Sequence, residues 1–268
     1  MPAWPRLVLI KSPTVMKTRL LTWCSSARAG FLTIGTLLAL TSLSFNVAAQ
    51  HQLSRRYPAG KNVRIELKNI SGTIVVEAWN KNEIRLTATI ESKKAQVVPK
   101  QTNESLVVDV MSDNRGRGDV GDINFKLQVP VNSSVDLQTI SGNINVTNIR
   151  SGLVRAYVST EGDIELTNIV ASQVIAQNIT GNIFFDGEFL GGGNYEFKSN
   201  KGDITIRIPV NSDFRFVASS PARKIALNDF WNNNFKSHDG RKYEGYVGGG
   251  HSFLSIINFS GQITFMRR

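Results

Sequence analysis

Short segments with apolar residues at every second position recur along the chain, each pair joined through a glycine. Isoleucine stands two residues after the glycine in every copy, and an apolar residue stands four after it. Alternation at period two predicts half-buried strands, and glycine followed by a small polar residue predicts a turn. Each unit therefore predicts strand, glycine turn, strand. The six repeat glycines are Gly72, Gly142, Gly162, Gly181, Gly202 and Gly261.

The spacing of these glycines predicts an all-β solenoid. From Gly142 to Gly202 the successive steps are 20, 19 and 21 residues, and the last step, to Gly261, is 59, close to three such periods. One unit cannot bury its apolar face alone, but stacked copies form a continuous core. Equivalent isoleucines would then stack about 4.8 Å apart as an aliphatic ladder.

One copy of the repeat departs from the pattern. Before Gly162 the expected apolar pair is replaced by Arg155 and Tyr157, so Val154 and Val158 are predicted to face inward through a one-residue shift.

Three residues before each glycine stands a small polar residue. This column either hydrogen-bonds the buried turn backbone or faces water. Its members are Asn69, Thr139, Ser159, Asn178, Ser199 and Asn258.

A second repeat sets the domain organisation. The segment Leu127–Ser133 recurs as Ile206–Ser212, and the shared proline is predicted to mark a strand end. After the second copy, Pro221 stands where a glycine is expected, so residues 219–250 are interpreted as an elaborated loop. The prediction is a single β-repeat domain over 60–268, preceded by a flexible segment at 50–59.

Residues 1–49 have the pattern of a secretory signal. They carry five basic residues and no acidic one, then an apolar run from Phe31 to Leu43 and small residues before Gln50. Cleavage is expected between Ala49 and Gln50. The run is too short to span about 30 Å of bilayer as a helix. The alternative is an uncleaved anchor, and Met16 is a second candidate start.

Charge and cysteine content change once this segment is removed. The formal charge of +10 falls to +5, from 26 basic and 21 acidic residues without a long basic run, so no nucleic-acid partner is expected. The single cysteine, Cys24, lies within the signal. No disulfide or cysteine metal site is therefore predicted for the remainder.

The glycine units resemble the putative-adhesin family of exported β-strand-repeat proteins, a domain family of undefined function. The resemblance rests on Ser-Gly-Asn-Ile at 141–144, on Val-Pro-Val-Asn at 129–132, and on the stretch from the glycines at 248–250 to 260–263. It covers roughly residues 60–268. It implies a β-solenoid at or beyond the cell envelope, with no catalytic residue.

A search for chemistry predicts no catalytic, cofactor-binding or metal-binding residue. The three histidines, His51, His238 and His251, lack the spacing of a zinc site. Asp163 and Asp203 recur in the turn, but the dense glycine–aspartate repeat of calcium-binding coils is absent, which favours a turn role.

The aromatic loop holds the candidate ligand surface, Trp231, Arg241 and Tyr243. Rings on a polar loop can stack on sugars, and arginine can pair with carboxylates. Phe230 and Trp231 could equally cap one end of the solenoid and protect its strands.

The sequence favours a non-catalytic exported module for adhesion or scaffolding. It would lie in the periplasm, on the cell surface or outside the cell, with envelope or extracellular glycans or surface proteins as partners. The alternative is a polysaccharide lyase or hydrolase, which would need converging carboxylates that the scattered acidic residues do not indicate. A third interpretation is a periplasmic regulatory accessory.

Overall fold

Alternating apolar residues form strands throughout the part of the chain that the structure describes. In this computed structural model, residues 51–102, 104–112, 121–221 and 224–268 are described, and all belong to one compact unit. The signal segment and its expected cleavage site between Ala49 and Gln50 lie outside these residues. The described residues are all-β, as predicted. The strands are β1 His51–Pro58, β2 Arg64–Asn69, β3 Ile74–Trp79, β4 Glu83–Ile90, β5 Ala95–Gln101, β6 Ser105–Ser112, β7 Ile123–Pro130, β8 Ser134–Thr139, β9 Ile144–Thr147, β10 Arg150–Glu161, β11 Ile164–Thr180, β12 Ile183–Lys201, β13 Ile204–Ile208, β14 Phe214–Ser219, β15 Ile225–Ala226, β16 Lys236–His238, β17 Lys242–Val247, β18 Ser252–Asn258 and β19 Ile263–Arg267, and a 3₁₀ helix spans Asn228–Phe230.

The strands form two faces around one β-solenoid-like core. The first face runs β5-β6-β2-β8-β10-β11-β12-β18-β14-β17-β16, and the second runs β1-β4-β7-β3-β9-β11-β12-β13-β19-β15. The long strands β11 and β12 bend and contribute to both. In β11, residues 164–167 pair in the second face and 173–178 in the first. Coils that cross a glycine turn are therefore stacked mainly in parallel.

The repeat isoleucines all lie at one depth in the core. Each is at most 1% exposed. Along the stack they are register partners: Ile74 with Ile144, Ile144 with Ile164, Ile164 with Ile183, Ile183 with Ile204 and Ile204 with Ile263. The inward position four residues after glycine is also fully buried in all six units. Burial of these two columns from every coil supplies the apolar contacts that a single coil lacks.

The repeat glycines form a column of direct backbone contacts. A Cβ added at Gly142, Gly162 or Gly181 would overlap the carbonyl oxygen of the glycine in the preceding coil. Gly72, Gly142, Gly162, Gly181 and Gly202 also have φ between 104° and 148°, which disfavours any residue with a side chain. Only glycine meets both demands of the turn.

The polar column before the glycines binds the turn backbone. Asn178 Nδ2 donates to the Gly162 carbonyl at 3.0 Å, and Ser199 Oγ donates to the Gly181 carbonyl at 3.2 Å. Asn258 Nδ2 donates to the Gly202 carbonyl at 2.8 Å and is fully buried. Between the two roles left open by the sequence, the structure thus has the hydrogen-bonded one.

A second ladder follows the glycines. The side-chain oxygen of Asn143 accepts the Asp163 amide, Asp163 accepts the Asn182 amide, and Asn182 accepts the Asp203 amide, at 2.6–2.9 Å. An amide oxygen and a carboxylate oxygen serve equally as acceptor. This explains why Asp and Asn alternate here. Asp163 and Asp203 therefore have the structural role in the turn that the sequence favours.

Spatial order departs from chain order at both ends of the stack. Strand β19 pairs directly with β13, and β18 with β12, so the coil of Gly261 lies beside that of Gly202. The 59 residues between these glycines add no coils in series between the two. The chain instead first forms β14, β15 and the β16–β17 hairpin. It then returns, so that β18 lies between β12 and β14, and β19 lies between β13 and β15. At the other end, β2 lies between β6 and β8 in the same way.

Three local expectations can be compared with the structure. Val154 and Val158 are fully buried while Tyr157 is exposed, as the one-residue shift requires. Residues 51–58, expected to be flexible, instead form β1, paired antiparallel with β4 and contributing partly buried Leu53 and Tyr57 to the core. The segment 219–250, expected to be a loop, contains the short strand β15, a 3₁₀ turn and the β16–β17 hairpin.

Candidate ligand-binding surface

Phenylalanine rings fill the core at the C-terminal end of the stack. Phe230 is 3% exposed, and its ring lies 6.2 Å from Phe214 and 6.0 Å from Phe265 between centroids. Asn228, at φ 48°, holds this turn in place because its Nδ2 donates to the Phe265 carbonyl at 2.7 Å. Phe230 therefore closes the end of the core, one of the two roles expected of the aromatic loop.

The neighbouring Trp231 has the opposite environment. It is 58% exposed, and its ring lies 5.6 Å from Phe235 and 6.3 Å from Tyr243. Phe235 packs edge-on against the buried Phe216 at 5.0 Å. The structure thus brings together Trp231 and Tyr243, two of the three predicted ligand residues, on an anchored aromatic cluster.

Arg241 is not part of this cluster. It lies in the turn between β16 and β17, where its amide donates to the His238 carbonyl at 3.0 Å. Its carbonyl accepts the Ser220 amide at 2.7 Å, and its side chain is exposed. The contacts of Arg241 are made by its backbone, which hydrogen-bonds the hairpin to the residue that follows β14.

A groove of about 380 Å³ lies beside the cluster, on the outer side of the first face. Arg215 on β14 is the register partner of both Tyr246 on β17 and Phe253 on β18, so three outward side chains form a row across three strands. The Arg215 guanidinium lies over the Phe253 ring, 5.3 Å from its centroid. The rest of the lining is Phe216, Val217, Asn234, Lys236, Glu244 and Gly245.

The groove contains one carboxylate that is held ionised. His238 Nε2 lies 3.2 Å from Glu244 Oε1, and Lys242 Nζ lies 3.4 Å from Glu244 Oε2. These hydrogen bonds, the one to His238 being the stronger influence, lower the pKa of the Glu244 carboxyl below its usual value. The groove therefore presents both signs of charge, with Arg215 and Lys236 as its cations.

An exposed hydrogen-bonded pair fixes the two strands that carry the aromatic rings. Asp213 Oδ1 accepts the His251 amide at 2.9 Å, and Asp213 Oδ2 lies 2.5 Å from His251 Nδ1. The hydrogen bonds from His251, backbone first, lower the pKa of Asp213 to about 2. Gly248 and Gly250, at φ 63° and 70°, make the tight connection from β17 to β18. This connection sets the spacing of Tyr246 and Phe253.

Sequence reasoning did not find Arg215 or Phe253 as groove residues. A signal was present for Phe253, because Leu254 and Ile256 face inward and the alternation places residue 253 outside. An aromatic ring at an outward strand position is a marker of a binding surface. Arg215 had no comparable signal, since it is recognisable only through the pairing of β14 with β17 and β18.

The described residues contain no group of three or more His, Cys, Asp or Glu side chains placed to hold a metal ion. Their two buried carboxylates are engaged by arginine. Asp136 lies 2.9 Å from Arg155 Nη1, and Asp186 lies 2.6 Å from Arg207 Nη2. Across the same part of the chain, no helix has the length and apolarity needed to cross a membrane.

Comparison with known proteins identifies the family. Residues 115–265 match the family model described as Toastrack DUF4097. The chain belongs to this family. The Toastrack assignment agrees with the resemblance inferred from the glycine units and with the β-solenoid-like fold. A search of curated proteins found no match.

Solved structures that match this Toastrack chain share little sequence with it. A putative cell adhesion protein from Clostridium sporogenes has 10% identity, 82% coverage of this chain, 100% coverage of its own and a TM-score of 0.48. A putative adhesin from Bacteroides fragilis has 11% identity, 82% and 99% coverage and a TM-score of 0.42. A putative lipid binding protein from Parabacteroides distasonis has 11% identity, 81% and 96% coverage and a TM-score of 0.24.

Proposed function

We propose that this Toastrack protein is a non-catalytic, exported binding module that takes a saccharide ligand in the groove between β14, β17 and β18. The observation that carries the proposal is the row of Tyr246, Arg215 and Phe253 across three paired strands. Export is supported by the signal-like pattern of residues 1–49. The partner class is an envelope or extracellular glycan.

The groove has the size and chemistry of a small-ligand site. Its volume of about 380 Å³ falls in the range of roughly 300–1,000 Å³ typical of such sites. Tyr246 is 46% exposed and offers a ring to a sugar face, while Arg215 and Asn234 offer donors to hydroxyl or carboxylate oxygens. The row lies on hydrogen-bonded strands, so little order has to be created on binding.

The charges in and near the groove favour binding over catalysis. A glycoside hydrolase needs a carboxylic acid of raised pKa near a second carboxylate. Here the pKa of Glu244 is lowered. The buried carboxylates Asp136 and Asp186 lie in different faces, on β8 and on the second-face part of β12. A lyase or hydrolase is the competing function, and release of a shortened product distinguishes it from a module.

The experiment is a screen of the full chain against immobilised oligosaccharides, followed by titration of the best binder. Tyr246→Ala should weaken binding at least about tenfold, because loss of ring stacking costs about 1.4 kcal/mol or more. Tyr157→Ala is the matched control, since Tyr157 is 39% exposed on β10 of the same face. Its affinity should stay within about twofold of wild type.

The unfolding temperature of both variants should remain near that of the wild type, because both side chains point away from the buried core. Equal losses for Tyr246→Ala and Tyr157→Ala would remove the groove as the site. Accumulation of cleaved oligosaccharide during the titration would replace the module with an enzyme.

A further inference from the structure

A second groove, of about 300 Å³, lies at the opposite end of the stack from the hairpin. Trp79 ends β3, and the chain then crosses the end of β7 to begin β4, so the crossing residues 80–82 lie beside the turn that follows Pro130. The lining is Lys61, Trp79, Asn80, Lys81, Asn82, Pro130, Val131 and Asn132.

Hydrogen bonds hold the crossing segment in one conformation. Trp79 Nε1 donates to the Glu83 carbonyl at 2.8 Å, which closes the segment that Trp79 begins. The Ala59 amide donates to the Asn82 carbonyl at 3.1 Å. The indole is therefore a fixed support and not a free surface side chain.

Two cations lie over this indole. The Lys81 ammonium is 4.9 Å and the Arg85 guanidinium 5.2 Å from the ring centroid. Contact with an aromatic face holds a cation without neutralising it. Arg85 is half-buried on β4 beside the groove and does not line it, so it contributes charge rather than a direct contact.

Cations outnumber carboxylates around the indole, where Glu77 on β3 and Glu83 on β4 lie on the same outward faces as Trp79 and Arg85. Arg56 on β1 is the register partner of Arg85 on β4, and like charges directly opposite one another on paired strands are destabilising. Among the described residues, no carboxylate forms an ion pair with Arg56, Lys61, Lys81 or Arg85. A bound anion would relieve this repulsion.

We propose that the Trp79 groove is a second binding site, which takes the carboxylate, sulfate or phosphate group of an acidic polysaccharide. Lys81, supported on the indole, and Lys61 line the groove and pair with the anionic group, while Arg85 and Arg56 beside it extend the positive field along the polymer. Asn80, Asn82 and Asn132 supply amide donors and acceptors for sugar hydroxyls. The site is independent of the groove at Tyr246.

The lining favours a polysaccharide over a lipid bilayer surface. Membrane-binding surfaces combine cations with exposed apolar side chains that enter the headgroup region. The large exposed hydrophobic residues of the described chain, such as Ile140, Ile179 and Phe259, lie outside this groove. Around the cations the groove instead presents three asparagines.

The test measures binding of the full chain to polygalacturonate, with neutral dextran and phosphatidylglycerol vesicles as comparison probes. The variant K61Q/K81Q changes two exposed loop residues, so the fold should be preserved. It should bind polygalacturonate at least about tenfold more weakly, since charged hydrogen bonds contribute roughly 1.5–3 kcal/mol each. The control K93Q/K94Q removes the same charge from exposed positions elsewhere and should bind within about twofold of wild type.

R85Q supplies a second variant, and its loss should be smaller than that of K61Q/K81Q because Arg85 lies beside the groove and does not line it. In a Tyr246→Ala background, K61Q/K81Q should lower the affinity for polygalacturonate by the same factor as in the wild type, which separates this site from the proposed saccharide groove. Equal affinities for K61Q/K81Q and K93Q/K94Q would reduce the effect to net charge and overturn the proposal. Binding to the vesicles with none to polygalacturonate would overturn it in favour of a lipid surface.

Discussion

The glycine edge of the stack and its C-terminal end solve the same problem of burial by different means. At the glycine edge, each coil covers the next, and the Gly and Ile columns repeat the same contact from Gly72 to Gly261. At the end there is no next coil. Phe230 closes the core from outside, and the hairpin β16–β17 covers the strand β14.

This difference separates the residues that stabilise the stack from those that are free to bind a ligand. A residue in a column contacts the coils on both sides, so its polar groups form hydrogen bonds within the stack. The side chain of Asp163, for example, accepts a turn amide. A residue at the end has a neighbour on one side only. Trp231 and Tyr246 can therefore remain 58% and 46% exposed without a loss of core packing.

Among substitutions at the glycine edge, Gly181→Ala should have the largest effect on stability. A Cβ there would overlap the Gly162 carbonyl oxygen, and the backbone has φ of 127°. We expect the free energy of unfolding to fall by about 3–5 kcal/mol, the range of the most damaging substitutions. Urea denaturation followed by circular dichroism measures it.

Gly191→Ala is the matched control for this substitution. Gly191 is exposed in β12, and a Cβ there meets no atom within 4 Å. Its effect should be below about 0.5 kcal/mol. Similar losses at Gly181 and Gly191 would mean that the glycine column is not held by close backbone contact.

At the C-terminal end the comparison is sharpened by two adjacent aromatic residues. Phe230→Ala should lower the free energy of unfolding by about 3 kcal/mol, because it removes a buried ring that packs on Phe214 and Phe265. Trp231→Ala should lower it by less than about 1 kcal/mol, since that ring is mostly exposed. Thermal and urea unfolding of both variants measure the difference.

The reverse order of these two losses would assign the capping role to Trp231. Equal losses would mean that the 3₁₀ turn closes the end as a single cooperative unit. Either result would remove the distinction between a covering residue and a recognition residue at this end.

Position in the stack also explains how far the sequence could predict the molecule. Each column is present in six copies, so Ile74 and Ile263 carry the same signal and the solenoid-like core is predictable. Chain order at the ends is not, because the pairing of β18 with β12 rather than with its sequence neighbours depends on long-range contacts. The groove at Arg215 also depends on long-range pairing, that of β14 with β17 and β18, which is why the sequence-based site lacks Arg215.

The smallest expected effect concerns Asp213, which ties the connection between the hairpin and β18. The hydrogen bonds from His251 lower the pKa of Asp213 to about 2, from an ordinary value of 3.8. A carboxyl with a lowered pKa in the folded state stabilises the fold above its unfolded pKa. That contribution is lost as pH falls from about 4 towards 2.

Asp213→Asn should therefore lower the free energy of unfolding at pH 5 to 7, and the difference from wild type should shrink as the pH approaches 2. Urea denaturation at several pH values measures the difference. In the background of His251→Ala the same substitution should have a smaller effect, because the imidazole hydrogen bond is already gone. A difference that does not depend on pH, or on the residue at 251, would mean that the connection is held by its glycine backbone alone. The groove spacing would then be set by the turn itself, without a contribution from the hydrogen bond between Asp213 and His251.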